Sequence, residues 1–286
     1  VRIYDDRGIY LGQAGRSGSG PGEFTAPWTM ARVAGDTIAG IGPKEGDVFA
    51  NSPNVLYRLS SLLSSNTSYT LTVVNYITGV TATATTEMVE NFNVPRPFEG
   101  QNIHLLSEAA PFQTVWNVPE NAEIFDVAIK FHYNIADVNN PTVITGQDSI
   151  SWEIADGAVF TGQQGEVTIS KEGFYQSIRS RLTPDPTKVR YFDHMDFVIY
   201  AGSEELRDYI DFTEAQGGLL SNTVTTQYTN VENGLGILAS RYVKTITDVG
   251  LSDGSLDSLG CGPVTGHLQF APSANLTTYP NYPFCD

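Results

Sequence analysis

Apolar and polar positions alternate in several short stretches of the N-terminal third of the chain. These stretches are residues 55–59, 70–75 and 80–85. A period of two places alternate side chains on one face of a strand, so that Leu71 and Val73 share a face with Tyr69. The pattern predicts a β-meander with a turn at Thr78-Gly79. Further upstream we expect a hairpin over residues 3–11 and a short strand over 36–39.

A second group of strand patterns follows in the middle of the chain. Residues 124–133 alternate strictly, and shorter patterns cover residues 102–106, 112–116, 148–154 and 166–169. A strand that ends on Trp116, a turn at Pro119 and a long strand with alternating aromatic residues are typical of an Ig-like or fibronectin type III-like sandwich. We therefore predict a mainly β fold built from tandem β-sandwich modules.

The C-terminal half mixes helix and strand patterns. Ser170 is placed to cap a helix over residues 171–182, in which Phe174, Ile178 and Leu182 share a face. Ser203 is placed to cap a second helix over 204–214, with acidic residues in its first turn. The remaining apolar runs predict strands over residues 195–200 and 236–243.

Proline-rich sequence marks the best boundary between modules. The segment Pro95-Arg96-Pro97 separates the two groups of strands, since proline at this density interrupts regular elements. We expect an N-terminal β-sandwich-like module over residues 1–95, a second module with both helices over 98–260, and a tail over 261–286. Because the chain begins within a strand pattern, we also expect upstream sequence.

Both cysteines of the chain, Cys261 and Cys285, lie close to its C-terminus. They bracket a segment rich in glycine and proline, which has little apolar sequence to hold it in place. We expect a disulfide between them that closes this tail, and a bridge of this kind indicates an oxidising, exported compartment. Two free thiols, which are more usual in a cytosolic protein, are the alternative.

Charge narrows the class of partner. The 286 residues include 32 acidic and 16 basic side chains, a net charge of −16. This balance excludes a typical nucleic-acid-binding protein, which needs a basic surface. No apolar run is long enough for a membrane-spanning helix. Only 17% of residues are charged, so that the acidity reflects scarce Lys and Arg, which suits an exported protein.

Few residues form a pattern with recognisable chemistry. Asp193, His194 and Asp196 cluster two carboxylates with an imidazole, and they could bind a divalent cation, support an enzyme, or form a solvated loop. His104 and His132 fall in predicted strands, where we interpret them as structural. The glycine-rich segments lack the context of a nucleotide-binding loop. We assign no catalytic, cofactor-binding or metal-binding residues, and we expect a protein that is not an enzyme.

The sequence patterns for calcium binding and for N-glycosylation are weaker than this cluster. Residues 253–257 carry carboxylates but not the ligand spacing of an EF-hand, so that we assign no calcium ligand. Asn66 and Asn275 begin glycosylation sequons, which we interpret as chance matches.

One run of residues resembles a known family. The resemblance covers about residues 45–260, and its most specific piece is Tyr-Thr-Asn-Val-Glu-Asn-Gly-Leu-Gly-Ile-Leu-Ala-Ser-Arg at residues 228–241. Supporting pieces lie at residues 55–58, 69–75, 78–79, 82–86, 115–117, 131–133 and 173–175. The chain is similar to surface or periplasmic lipoproteins of Bacteroidetes filed under a domain of unknown function, the DUF4249-like group.

The resemblance implies an exported β-sandwich protein, tethered to the outer membrane through a lipidated N-terminal cysteine upstream of Val1. It implies no catalytic residues. We therefore expect a non-catalytic surface or extracellular protein that acts by contact with other outer-membrane or extracellular proteins, or with itself. One alternative is a glycan-binding module that uses exposed Trp28 or Trp152 as a stacking platform. The other is a self-assembling filament subunit.

Overall fold

A computed structural model of the chain describes residues 12–16, 28–29, 31–34, 55–58, 67–74, 78–216, 228–273 and 284–285. Strands predominate over helices, as the sequence predicts. The strands are β1 Gly12–Arg16, β2 Trp28–Thr29, β3 Ala31–Ala34, β4 Val55–Arg58, β5 Ser68–Val74, β6 Thr81–Glu87, β7 Asn102–Ile103, β8 Phe112–Asn117, β9 Ile124–Asp137, β10 Asn140–Ala158, β11 Gln164–Ile169, β12 Lys188–Gly202 and β13 Arg241–Leu251. The helices are α1 Lys171–Arg181, α2 Glu204–Gln216 and α3 Asp253–Cys261.

The chain divides into two compact units that each combine separate segments. Unit 1 comprises Val1–Glu90, Glu120–Ile124 and Ala201–Tyr242, and unit 2 comprises Asn91–Pro119, Phe125–Tyr200 and Val243–Asp286. The division after Glu90 lies close to the expected boundary at residues 95–97. Unit 1 also contains α2, which the sequence alone assigns to the second module.

Unit 1 contains a sheet of strand order β2-β1-β5-β6 and a separate β3-β4 pair. Tyr69, Leu71 and Val73 of β5 are buried on one face, as their alternation predicts. The predicted meander is wrong in one respect, because residues 55–58 pair antiparallel with β3 and not with β5. The predicted hairpin at 3–11 and strand at 36–39 lie outside the described residues.

The strand predicted over residues 236–243 is misplaced, because β13 begins only at Arg241 and continues to Leu251. The apolar side chain of Leu238 packs in the core of unit 1 with Leu71, Val73 and Ala84. The Asn230 side chain donates to the Leu238 carbonyl at 2.8 Å and accepts from the Leu238 amide at 2.9 Å. One amide side chain thus satisfies both backbone groups of Leu238.

Unit 2 is organised around a five-stranded sheet of order β10-β9-β12-β13-β7, with β8 and β11 forming a separate pair. The odd-numbered residues of β9 from Phe125 to Tyr133 are buried, and the even-numbered ones are exposed or partly exposed. Phe131 lies at the centre of the buried face, and its ring contacts those of Phe192, Phe270 and Phe174 at centroid distances of 5.1, 5.7 and 6.2 Å.

Both predicted helices are present. The Ser170 hydroxyl accepts a hydrogen bond from the Gly173 amide at 3.0 Å, which is the N-cap expected for α1. Phe174 and Ile178 of α1 are fully buried. Helix α2 begins directly after Ser203, although the Ser203 hydroxyl donates to the Glu205 carboxylate instead of capping an amide.

Helix α3 is absent from the sequence prediction, which interprets residues 253–257 as an acidic loop. Leu256 and Leu259 lie three residues apart and are buried together on one face of the helix. The Tyr175 hydroxyl donates to the carbonyls of Leu105 and Ser255 at 3.2 and 2.9 Å, which ties α1 to the start of α3. Burial raises the pKa of Tyr175 to about 12, so that the phenol stays neutral and keeps donating.

Trp116 fixes the β8-β11 pair to the rest of unit 2. Its side chain is fully buried, and its ring contacts Phe160 and Phe125 at 5.1 and 5.6 Å. Gly165 of β11 pairs with Trp116 across the ladder. A Cβ at Gly165 would lie 2.3 Å from the indole ring, so that only glycine fits beside it.

We expect Gly165→Ala to lower the free energy of unfolding by about 2 kcal/mol, because the indole or the β11 backbone must move out of a close-packed site. Urea unfolding followed by tryptophan fluorescence measures this change. Gly162→Ala is the matched control, since its nearest non-neighbouring atom would be 3.9 Å away. Equal stabilities of the two variants would contradict the packing described for Trp116.

Among the described residues, no helix is both long and apolar enough to cross a membrane.

Candidate functional site

Three potential metal ligands meet on the partly exposed face of the five-stranded sheet. His132 belongs to β9, and His194 and Asp196 belong to β12, its neighbour in the sheet. His194 and Asp196 are two residues apart on one strand, and such residues point to the same face. His132 alternates with the buried residues Phe131 and Tyr133, which places it on this face as well.

The ligand atoms of the three residues all lie within 4.8 Å of one another. The His132 Nε2 and Asp196 Oδ2 atoms are 3.1 Å apart, and His194 Nε2 is 3.6 Å from Asp196 Oδ1. The two imidazoles stack with ring centroids 4.3 Å apart and planes inclined by 12°. The side chains of His132, His194 and Asp196 retain 22%, 30% and 18% of their accessible surface. The cluster is therefore half-buried and still reachable from solvent.

One carboxylate oxygen of Asp196 is buried without a hydrogen bond. Its Oδ1 atom is buried and accepts no hydrogen bond, although Oδ2 contacts His132. A buried carboxylate oxygen without a donor costs free energy, since it has lost water and gained nothing in exchange. His194 Nε2 lies 3.6 Å from this oxygen, which is too far for a hydrogen bond.

Asp193 orients one of the two imidazoles. Its Oδ2 atom lies 3.0 Å from His194 Nδ1. Because the carboxylate can only accept, we assign the proton of neutral His194 to Nδ1. The lone pair of Nε2 then faces Asp196, which is the arrangement that prepares a histidine to bind a metal ion.

The structure both extends and revises the sequence interpretation of residues 193–196. These residues lie in the middle of β12 and not in a loop. The sequence shows only one patch of ligands, and for that reason it assigns no metal site. It interprets His132 as structural, whereas the structure places this residue as a third member of the cluster. The even-numbered position of His132 on an alternating strand indicates its face, but only the order of strands shows what lies beside it.

The outermost strand of the same sheet has one open edge. β10 is terminal in the strand order and pairs antiparallel with β9, with regular register from Gly146 to Glu153. The Ser151 carbonyl accepts from Arg181 Nε at 3.2 Å, outside the β9 ladder. The backbone of Ser151 therefore faces away from β9, and so do those of Gln147 and Ser149, which have the same parity. No described strand pairs with this edge.

The expected disulfide is compatible with the geometry at the C-terminus. The sulfur atoms of Cys261 and Cys285 lie at bonding distance, with their Cα atoms 5.6 Å apart. Phe284 precedes the second cysteine and packs against a buried cluster that contains Tyr191, Val189 and Ala271. The pair thus joins the end of α3 to the chain that follows Phe284.

The tryptophans considered for glycan stacking and the glycosylation sequons can be assessed only in part. Trp152 is only 7% exposed and packs against Phe174, so that it cannot serve as a stacking platform for a glycan. The side chain of Trp28 and both sequon asparagines, Asn66 and Asn275, lie outside the described part of the chain.

Comparison with known proteins adds no family. No protein-family model matches the chain, and no curated protein matches it. The resemblance to the DUF4249-like lipoproteins therefore stays a prediction.

Proposed function

We propose that this chain is an exported, non-catalytic protein that acts by contact with other proteins at the outer-membrane surface or outside the cell. A lipid anchor upstream of Val1 would hold it there. The net charge of −16 and the cysteine pair at disulfide distance support export. The contact role rests on one observation, namely that no described strand pairs with the outer edge of β10.

We propose for the fold that unit 2 is an Ig-like or fibronectin type III-like β-sandwich module. Its support is the contact between β8 and the five-stranded sheet, in which the rings of Phe112 and Phe197 lie 6.1 Å apart. Antiparallel sheets of such sandwiches bury one face against each other. The buried odd-numbered face of β9 fits this arrangement.

The edge of β10 that faces away from β9 has no neighbouring strand among the described residues, so that an incoming strand could pair with it. An exposed edge strand is a template for pairing, and natural proteins usually protect it by covering it or by placing charges there. Arg181 covers the edge at Ser151, and the Asp148 carboxylate accepts from the Ser149 amide at 2.8 Å. Gln147, the next residue of the same parity, lies beyond these two contacts, and Val143 and Ile144 near it are exposed.

The partner that this edge fits best is an extended segment with basic side chains. Strand β10 contains Asp148, Glu153 and Asp156 and has no Lys or Arg. Opposite charges on adjacent strands stabilise pairing, and like charges oppose it. A basic segment that adds as a further strand would gain main-chain hydrogen bonds together with this charge complementarity.

Site-specific photocrosslinking in the source cells tests this proposal. A photoreactive phenylalanine at Gln147 is expected to crosslink one defined partner protein through a segment that contains Lys or Arg. The same group at Gln176, an exposed position on α1, is the matched control and is expected to give no such adduct. Adding Ser149→Pro removes an amide that faces away from β9 and that donates to the Asp148 carboxylate until an incoming strand replaces this contact. The Gln147 adduct should then fall at least about tenfold while the ladder with β9 stays intact.

The identity of the adduct separates the alternatives. A crosslink between two copies of this chain would favour the filament subunit over a contact with a different protein. Adducts of equal yield from Gln147 and Gln176, or none from Gln147, would overturn the strand-addition proposal. Thermal melting of each variant shows whether its fold is intact.

A further inference from the structure

We propose that His132, His194 and Asp196 bind one divalent d-block metal ion of the zinc type. The site lies on the face of the sheet and goes beyond the contact role of the β10 edge. The metal-site proposal depends on the geometry of β9 and β12, so that it can be tested independently of strand addition at β10.

The first argument is the spacing of the ligand atoms. Zinc binds histidine nitrogen and carboxylate oxygen at about 2.0–2.2 Å, so that two ligands of a tetrahedral ion lie about 3.3 Å apart. The pair His132 Nε2 and Asp196 Oδ2 is separated by 3.1 Å, and His194 Nε2 and Asp196 Oδ1 by 3.6 Å. The two separations bracket the tetrahedral value. For one ion to bind all three ligands, the two imidazoles would have to rotate out of their stacked arrangement. The proton that His132 Nε2 donates to Asp196 would be released on binding.

The second argument is the uncompensated oxygen of Asp196. Its buried Oδ1 has no donor within the described structure, and it lies on the side of the carboxylate that faces His194. A cation between Oδ1 and His194 Nε2 would supply the missing interaction.

The third argument is the outer partner of His194. A histidine that binds a metal through one ring nitrogen commonly donates the other N–H to a carboxylate, which fixes the ring and strengthens the ligand. Asp193 accepts from Nδ1 at 3.0 Å and occupies this place for His194. The two carboxylates thus have different roles, Asp196 as a ligand and Asp193 as a positioning residue.

The ligand set indicates the class of metal. Two imidazoles and one carboxylate suit Zn²⁺, Co²⁺, Ni²⁺ and Cu²⁺, whereas Mg²⁺ and Ca²⁺ prefer oxygen ligands alone. Three protein ligands leave at least one coordination position for water or for a group from a partner. The exposed fractions of the three side chains leave that position open to solvent.

Titration of the whole chain with Co²⁺ tests the proposal, because Co²⁺ replaces Zn²⁺ and its visible spectrum reports the ligand geometry. We expect one equivalent of Co²⁺ to give the intense absorption of a tetrahedral site, which Zn²⁺ then displaces. Asp196→Asn and His132→Gln should each abolish this spectrum, and Asp193→Asn should weaken binding about 10–100-fold. His104→Gln and His267→Gln replace exposed histidines outside the cluster and should bind like the wild type.

Proton NMR of the wild-type chain with Co²⁺ identifies the ligands without any substitution, so that the result does not depend on whether a variant folds. Bound Co²⁺ should shift the ring protons of two histidines far outside the usual range. The proposal is overturned if the wild type shows no Co²⁺ spectrum at stoichiometric concentration, or if His104→Gln loses the spectrum to the same extent as His132→Gln.

Discussion

Arg190→Met is expected to lower the free energy of unfolding by about 4 kcal/mol, because the buried Leu268 carbonyl and the partly buried Thr183 carbonyl lose a charged donor. Arg190 is only 7% exposed. Its guanidinium donates to the Leu268 carbonyl at 2.5 Å and to the Thr183 carbonyl at 3.0 Å. Methionine keeps the apolar stem and removes both donors.

The position of Arg190 explains the size of this effect. Its own amide donates to Gln269 at 2.9 Å, and the Ala271 amide donates back to its carbonyl at 2.8 Å. The side chain and the backbone of one residue therefore hold the segment around residues 268–271 against β12. The backbone bonds survive the substitution, so that the loss reports the guanidinium alone.

Urea unfolding monitored by circular dichroism measures the difference. Arg179→Met is the matched control, since Arg179 is exposed on α1 and its loss should cost less than about 1 kcal/mol. If Arg190→Met were within 1 kcal/mol of the control, the guanidinium would not be a main support of this segment.

Removing the disulfide should have the second large effect. We expect the double variant Cys261→Ser with Cys285→Ser to lose about 3 kcal/mol, because the bridge spans 24 positions and restricts the unfolded chain. The bridge also stabilises the folded state, since it keeps the Phe284 ring against that of Tyr191, with ring centroids 6.2 Å apart.

Chemical reduction of the disulfide provides an independent check of this loss in the free energy of unfolding. Adding dithiothreitol should bring the wild type to the stability of the double variant and leave the variant itself unchanged. A wild type whose unfolding curve does not respond to reductant, with thiol labelling complete before unfolding, would show that the bridge does not form in solution.

The sequence predicts elements well where one face of an element is buried and its pattern is local. Strand β9 follows from its alternation, and α1 follows from its capping serine and the spacing of Phe174 and Ile178. Helix α3 is missed because glycine and serine surround its two buried leucines, which leaves a weak helical signal. The start of β13 is predicted too early because the apolar residues around Leu238 resemble a strand. In the structure, the Asn230 side chain bonds both backbone groups of Leu238, and the strand ladder begins after it.

The candidate metal site illustrates what the sequence leaves out. The sequence shows two of the proposed ligands, His194 and Asp196, in one patch with Asp193. The third ligand, His132, lies on a distant strand, and only the strand order brings it to the patch. His132 and His194 are 62 positions apart in the sequence and meet because β9 and β12 are neighbours. A pattern along the chain contains no information on that adjacency unless the topology is known. The same holds for the β10 edge, which has no neighbour among the described strands because β10 is terminal in their order.

The contact proposal is tested most directly by the crosslink from Gln147. The account predicts an adduct with one partner through a basic segment, with a yield that falls as salt is raised, because salt screens the attraction to the acidic strand. It also predicts the loss of this adduct in the Ser149→Pro background. An adduct that persists unchanged in that background and at high salt would contradict strand addition at the β10 edge.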